Sequence, residues 1–340
     1  MERPQQEHID ELLNGFRALL ESYRHANPDD AVNPADAFFM YRLLLGRNPN
    51  ATLDLPALLS DPRTFRELRQ SVLDSDEFAS GGTFTPPHRR WMTELDGFRF
   101  WFNTSDREMG VVMAIGQYEA SVVRFIRQAL RSGMTCIDAG AQTGFFTCLM
   151  ATVVGETGMV HAFEPMPASY ELLQKNIQEN GFGPRVRAYQ RACSNAATEI
   201  LASHVGNMYV AGTVPGGRAV SMTAVRLDDV VHEAVDLIKL DVEGHEPAVL
   251  EGMRGLIARS HPVIVSECNE YLLESCSNTS GREYLALLTA YGYDVFDVND
   301  LSVAFTPDSG VPRDVRVFDV VALPRKSVAD ERNRARVMTT

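Results

Sequence analysis

Apolar positions recur at intervals of three and four over the first eighty residues and in short strand-like runs later, and this change of period predicts two kinds of structure. Leu12, Leu13, Phe16, Leu19, Leu20 and Tyr23 form one stripe of an amphipathic helix. Asn33 followed by Pro34 supplies a helix start, Phe38, Tyr41 and Leu45 continue its inward face, and Gly46 suits its C-terminal cap. Asp61-Pro62 repeats the device ahead of Phe65, Leu68 and Val72. Residues 1–82 are therefore expected to form a small all-helical accessory domain.

Gly81, Gly82, Pro86 and Pro87 cannot propagate a helix, because glycine raises the entropic cost and proline removes a donor. A linker and hairpin arm is expected over 83–115, with Phe98, Phe100, Trp101 and Phe102 on an aromatic strand. From about Gly133 strands and helices alternate: strands at 135–139, 159–164, 185–191, 237–241 and 263–267, and helices at 145–154, 168–180, 246–258 and 282–291. That rhythm reads as βαβ units on a parallel sheet, an α/β domain over 116–325. A late strand at 316–323 would suit an antiparallel edge. Residues 195–225 are Gly- and Thr-rich and receive no firm element, and 326–340 reads as a polar tail.

Composition narrows the partners. Lys and Arg number 32 against 45 Asp and Glu, a net charge of −13, which disfavours holding nucleic acid or anionic lipid by counterion release. The five cysteines show no paired CxxC spacing, so a reducing compartment is the simpler expectation. No apolar signal core opens the chain, and no run approaches the roughly 18 apolar residues that span a bilayer. A cytoplasmic protein without a membrane span is expected.

The sharpest chemical signal is Cys136-Ile137-Asp138-Ala139-Gly140-Ala141-Gln142-Thr143-Gly144-Phe145-Phe146. An apolar strand ends in an acid, a glycine turn follows, and an apolar helix begins. Glycine admits close backbone approach, and the helix start offers unpaired N–H groups. The spacing is GxxxG rather than the dinucleotide GxGxxG, and Asp138 would repel a diphosphate while suiting an ammonium or a sulfonium. Glu164 closes the second strand, where a carboxylate can accept hydrogen bonds from both hydroxyls of a ribose. A tight βα connection alone would explain the two glycines; the two acids are what point to a ligand. S-adenosylmethionine carries the matching groups, and a nicotinamide dehydrogenase is disfavoured.

Asp138 to Gly144, Ala162-Phe163-Glu164-Pro165 and Ile238-Lys239-Leu240-Asp241-Val242-Glu243-Gly244-His245-Glu246 resemble, in order and separation, the FkbM-type S-adenosylmethionine-dependent methyltransferases. Tyr118-Glu119, Asn176, Leu227-Asp228-Asp229 and the strand ending in Glu267 also match that pattern, from about residue 115 to 300. The resemblance implies a class I methyltransferase fold, a Rossmann-like seven-stranded sheet with one antiparallel strand and helices on both faces. It implies O-methylation of a hydroxyl on a natural product or sugar. Glu119, Gly140, Ala141, Gln142 and Gly144 would then line the cofactor, with Glu119 and the glycines on its methionine half. Asp138 would sit beneath it, Glu164 would hold the ribose, and Cys193 and Ser194 would border the adenine. Gln142 stands where the family often has asparagine.

Methyl transfer to a hydroxyl needs the acceptor held in line and a base or metal to manage its proton. Asp241, Glu243 and His245, at a strand end and on the loop after it, are the candidates. A helix-start role explains His245 and the neighbouring acids equally well, and Lys239 could pair with one of them. Asp241, Glu267 and Asn269 form a less favoured oxygen set for Mg²⁺, similar to that of catechol-type O-methyltransferases. Cys268 and Cys276 read as packing residues. The acceptor, a small molecule or a glycan, would meet residues 195–225, the segment approaching at Tyr118 and the loop after Glu267, with His204, Asn207, Tyr209 and Asn269 as lining or, alternatively, as solvated loop positions.

A second resemblance covers Tyr41-Arg42-Leu43-Leu44-Leu45-Gly46-Arg47-Asn48-Pro49 and Ser75-Asp76-Glu77-Phe78, which look like the helical DUF4214 module. It implies an interaction element that could recruit a protein partner. The competing reading of the whole chain is a methyltransferase-like scaffold without turnover that works through this module.

Overall fold

The computed structural model describes residues 90–95, 97–103, 118–205, 208–211, 218–306 and 317–325. The helices expected within 1–82, the DUF4214-like segments and the tail at 326–340 lie outside the described residues. The chain divides into two compact units, Met1–Trp91 with Phe102–Tyr118, and Met92–Trp101 with Glu119–Thr340.

Strands β1 (Arg90–Leu95) and β2 (Phe98–Asn103) pair as a two-stranded sheet. There follow α1 (Ala120–Ala129), β3 (Thr135–Ala139), α2 (Phe145–Val154), β4 (Met159–Phe163), α3 (Pro167–Glu179) and β5 (Val186–Tyr189). Next come β6 (Ala192–Cys193), β7 (Thr198–Val205), β8 (Met208–Ala211), β9 (Arg218–Val225), α4 (Leu227–Val230) and β10 (Leu237–Leu240). The chain continues through α5 (Glu246–Gly252), α6 (Arg254–Ser260), β11 (Val263–Asn269), α7 (Glu270–Ser277), α8 (Gly281–Ala290), β12 (Tyr293–Asp297), β13 (Ala304–Phe305) and β14 (Val317–Pro324).

The main sheet runs β13-β12-β14-β11-β10-β3-β4-β5. Strands β5, β4, β3, β10 and β11 are mutually parallel, and the apolar runs of β3, β4 and β10 are buried, as a sheet covered on both faces requires. From β3 the chain proceeds outward through β4 and β5, then returns to the other side of β3 as β10 and β11. The strand order therefore reverses between β3 and β10, and in open α/β sheets such a point opens a crevice at the strands' carboxyl ends.

Three expectations need correcting. The sheet has eight strands rather than seven, because the two-residue β13 adds to β12. The late strand β14 is antiparallel but interior, between β11 and β12, since it is apolar enough to be buried on both sides. The helix expected over 246–258 is two, broken at Met253. A Cβ on Gly252 would lie 1.9 Å from the carbonyl oxygen of Ser194, and Asp228 accepts from the N–H groups of Gly255 and Leu256 at 2.9 and 2.6 Å, starting α6 afresh.

Within the stretch left without elements on sequence, β7, β8 and β9 join β6 in a second sheet of order β6-β9-β7-β8. Ala202 and Met222 turn inward onto Met166, while Glu199, Ser221 and Thr223 face out, the Glu199 carboxylate accepting from both hydroxyls. Helix α2 is apolar around nearly its whole circumference because it is covered twice, by the sheet and by the aromatic strand. Phe98 and Phe100 each pack on Phe145 with ring centroids 5.7 Å apart. Asn176 on α3 and Asn180, the C-cap of that helix, hold that strand by its backbone, Asn176 at Trp101 and Asn180 at Arg99.

Candidate active site

The turn after β3 is built by packing before any ligand is considered. Gly140 has φ 88°, and a Cβ there would lie 1.7 Å from the carbonyl oxygen of Asp241. At Gly144, φ 93°, a Cβ would meet Leu173 at 2.6 Å. The N–H groups of Gly140 and Ala141 both donate to the Phe163 carbonyl, at 3.0 and 2.9 Å, tying the turn to the end of β4. Both glycines are thus required by the fold.

The acids beside the turn are another matter. Asp138 is 1% exposed and accepts a hydrogen bond from Thr147 Oγ1 at 2.5 Å; burial pushes its carboxyl up to about 6. Glu164 is 5% exposed, and its oxygens accept from the N–H groups of Gln142 at 2.9 Å and Met166 at 2.8 Å. Its carboxyl rises to about 7, burial outweighing those two hydrogen bonds. Gln142 itself has φ 47°, and its side-chain Oε1 is buried with no hydrogen-bond partner. A buried unmet acceptor on a turn that adjoins two buried acids fits a ligand that brings N–H donors, hydroxyls and positive charge.

The loop after β10 forms the facing wall. Glu246, 2% exposed, is an internal brace: its Oε1 accepts from Val242 N–H at 3.0 Å and Gly244 N–H at 3.2 Å, and burial raises it to about 7. Gly244 has φ 87°, and a Cβ there would lie 2.3 Å from the Leu272 carbonyl oxygen. Asp241 receives the Lys239 ammonium at 2.7 Å, and Lys239 also lies 3.7 Å from Glu119. Glu267 is raised to about 9, by burial first and then by the charges of Asp241 and Glu243. Its cross-strand neighbour Asp319 is raised to about 7 by burial and the charge of Glu119.

His245 does not stand alone. Its Nε2 is 2.9 Å from Ser194 Oγ, and burial holds its pKa below the ordinary value. Ser194 and His245, expected on the adenine and proton-transfer sides respectively, are therefore one unit. Cys193 is buried beside them on β6, and burial raises its thiol. Cys268 is buried and Cys276 half-buried, with burial raising both thiols.

The oxygen set considered for Mg²⁺ does not fit. Asn269 Oδ1 accepts from Leu272 N–H at 3.3 Å as the N-cap of α7, and the Lys239 ammonium lies on Asp241. Among the described residues no group of three or more His, Cys, Asp and Glu is arranged to hold a metal ion. Of the proposed acceptor-lining residues, His204 and Tyr209 are cross-strand partners on β7 and β8, and Asn207 lies outside the described residues.

Five non-glycine residues among those described have positive φ. His261 and Asn278 are the left-handed C-caps of α6 and α7, an ordinary use of that conformation. The other three, Glu119, Gln142 and Glu243, all surround the crevice. Strained backbone of this kind persists where the surroundings over-determine it, typically at sites. Sequence reasoning named all three, Glu119 and Gln142 through the family resemblance and Glu243 as a candidate for the proton. It missed Asp319 and the bracing role of Glu246; an acid within the apolar run of β14 was the available signal for Asp319.

A mixed sheet whose order reverses at β3 and β10, with acids at the strand tips on both sides of the reversal, defines a methyltransferase-like α/β fold. Residues 138–295 match the family model described as Methyltransferase FkbM domain. The chain is 28% identical to methyltransferase sdnD of Sordaria araneosa, over 36% of this chain and 62% of that protein, less than two thirds of the relative's length. A shorter match, 34% identical over 18% of this chain and 27% of the other, is to a protein-L-isoaspartate O-methyltransferase of Caenorhabditis elegans. Among solved structures, a methyltransferase FkbM from Methylobacillus flagellatus KT is similar with a TM-score of 0.38, at 15% identity over 64% of this chain and 54% of that one. Among the described residues no helix is long and apolar enough to cross a membrane.

Proposed function

We propose that the protein is an S-adenosylmethionine-dependent O-methyltransferase acting on a hydroxyl of a natural product or a carbohydrate. The observation that carries this reading is the set of buried groups at the glycine turn: Asp138 leading into it, Glu164 bonded to its Gln142 N–H, and the unmet amide oxygen of Gln142. When bound, the cofactor supplies an electrophilic methyl carbon on a sulfonium.

Each residue then has a task. Glu164, its carboxylate fixed by two backbone N–H groups, accepts the ribose hydroxyls with its remaining lone pairs. Gln142 Oε1 and Glu119 receive the ammonium, and Asp138 supplies negative potential beneath it. Cys193 and Ser194 border the adenine. Asp241 presents Oδ1 to the acceptor hydroxyl and takes its proton there, while Oδ2 stays on Lys239. Glu243 adds to the negative rim. His245, engaged by Ser194, holds the loop in place rather than taking the proton.

The test is calorimetry with S-adenosylhomocysteine and S-adenosylmethionine on wild type and Glu164→Gln, followed by transfer of labelled methyl to extracts fractionated into glycans and small hydroxylated metabolites. Binding that depends on Glu164, with label recovered as a methyl ether, supports the reading. Absence of binding at millimolar cofactor overturns it. Cofactor binding without any labelled acceptor favours the scaffold alternative.

A further inference from the structure

The loop between β10 and α5 is gripped from two sides. From the segment after β6, Ser194 Oγ stands 2.9 Å from His245 Nε2, and Asn195 donates to Glu251 Oε2 at 2.8 Å. Gly252 is pressed on the same segment, since a Cβ there would lie 1.9 Å from the Ser194 carbonyl oxygen. From the other side, the last residue of α7 reaches back to the loop: Ser277 Oγ donates to the Gly244 carbonyl at 2.6 Å. Gly244 also lies against α7, where a Cβ would be 2.3 Å from the Leu272 carbonyl oxygen. The backbone so held is left-handed at two consecutive positions, Glu243 at φ 55° and Gly244 at φ 87°. For a glutamate that conformation persists only while its surroundings impose it.

Glu246 already accepts from the Val242 and Gly244 N–H groups within the loop, so the Ser277 hydroxyl adds a hold from a different element on a different group, the carbonyl. Close-packed contacts of this kind transmit strain rather than absorb it. We propose that Ser277 is a positioning residue: through Gly244 and His245 it couples α7, on the acceptor side of the crevice, to Ser194 on the adenine side, so that filling the cofactor crevice fixes the acceptor wall. The naming of the two sides rests on the methyl-transfer reading above; the coupling of Ser194 to α7 does not. An acceptor that meets an already ordered wall pays less to bind, so the cofactor raises its affinity.

The experiment is hydrogen exchange on the full chain with S-adenosylhomocysteine as probe, for wild type, Ser277→Ala, Ser277→Thr, Ser194→Ala and the Ser194→Ala/Ser277→Ala double variant. In wild type the amides of α7 should exchange at least about threefold more slowly once the probe is bound. Ser277→Ala should bind the probe within about twofold of wild type yet lose that protection, and Ser277→Thr, which keeps a hydroxyl, should regain it. Without ligand, Ser194→Ala should speed exchange in α7, and should add nothing in the Ser277→Ala background. A serine that merely supported the fold would not carry the loss of Ser194 into a helix distant from it in sequence. Probe bound by wild type without slower exchange in α7 overturns the proposal, as does protection undiminished in Ser277→Ala or absent from Ser277→Thr, or exchange in α7 unmoved by Ser194→Ala. Should Ser277→Ala not fold, wild type with the probe and unliganded Ser194→Ala decide by the same criteria. Failure of the methyl-transfer reading appears separately, as wild type that does not bind the probe, and the ligand-free comparison of wild type with Ser194→Ala then decides the coupling.

Discussion

The main-chain N–H of Gln142 lies 2.9 Å from Oε2 of Glu164, so the turn after the first strand of the α/β unit holds the acid that closes the second. Replacing the carboxylate by an amide leaves one oxygen for two backbone donors and removes the charge. Charge-assisted hydrogen bonds are each worth about 1.5–3 kcal/mol, so Glu164→Gln should weaken S-adenosylhomocysteine binding about 10- to 100-fold in calorimetry.

The same burial sets a pH dependence. Asp138, Glu164 and Glu246 are raised to about 6, 7 and 7, so the folded state holds their protons more tightly than the unfolded chain does. Their contribution to stability is fully present below about pH 4 and lost as pH rises through 6 to 7. A cationic ligand should reverse the trend: S-adenosylmethionine affinity should increase between about pH 6 and 8, and the increase should shrink in Glu164→Gln. Affinity independent of pH in wild type would contradict this.

Gly140 and Gly181 separate two costs of a positive φ. A Cβ on Gly140 would lie 1.7 Å from the Asp241 carbonyl oxygen, whereas at Gly181, φ 65°, nothing lies within 4 Å. Gly181→Ala should lower stability by about 1 kcal/mol, the cost of a left-handed alanine. Gly140→Ala should cost several times as much, because backbone must move. Thermal melts of the two variants compare them directly, and loss of cofactor binding in Gly140→Ala would then report on folding rather than on ligand contact.

Much of this site was legible because its signals are local. An apolar strand, an acid, a glycine turn and an apolar helix follow one another from Cys136 to Phe146, and Glu164 closes the next strand. What remained hidden depends on partners distant in sequence. Asn269 looked like a ligand and is a helix cap; Asp228 looked like part of a motif and is the start of α6. Nothing local could reveal that Ser194 and His245, 51 residues apart, meet. Strands β7 to β9 were missed because residues between them are Gly- and Thr-rich, and their inward stripe is only Ala202, Met222 and a few neighbours.

Asn176 clamps the aromatic strand to the glycine turn. Fully buried, it accepts from Trp101 N–H at 2.6 Å and donates to the carbonyls of Trp101 and Thr143 at 2.9 and 2.8 Å. Asn176→Ala strips partners from three backbone groups and should destabilise by about 2–4 kcal/mol, each unmet group costing about 1–3 kcal/mol less what water recovers. Denaturant melts measure the loss. Asn180→Ala, at the more exposed end of the same strand, should cost less than half as much.

The bond between Ser194 and His245 gives the last prediction and separates holding the loop from taking the proton. Burial lowers the His245 pKa, so protonation favours the unfolded chain. Its contribution to stability is present above about pH 6.5 and lost as pH falls. His245→Gln should flatten that acid limb in melts compared between pH 5 and 7. Ser194→Ala and His245→Gln should also be non-additive, with a coupling near 1 kcal/mol in a double-mutant cycle. If Asp241 takes the proton, His245→Gln retains S-adenosylhomocysteine binding and keeps a substantial part of the turnover found with any acceptor, whereas Asp241→Asn binds the cofactor product but transfers no methyl. Equal loss of turnover in the two variants, with binding intact in both, would move the proton-accepting role to the histidine.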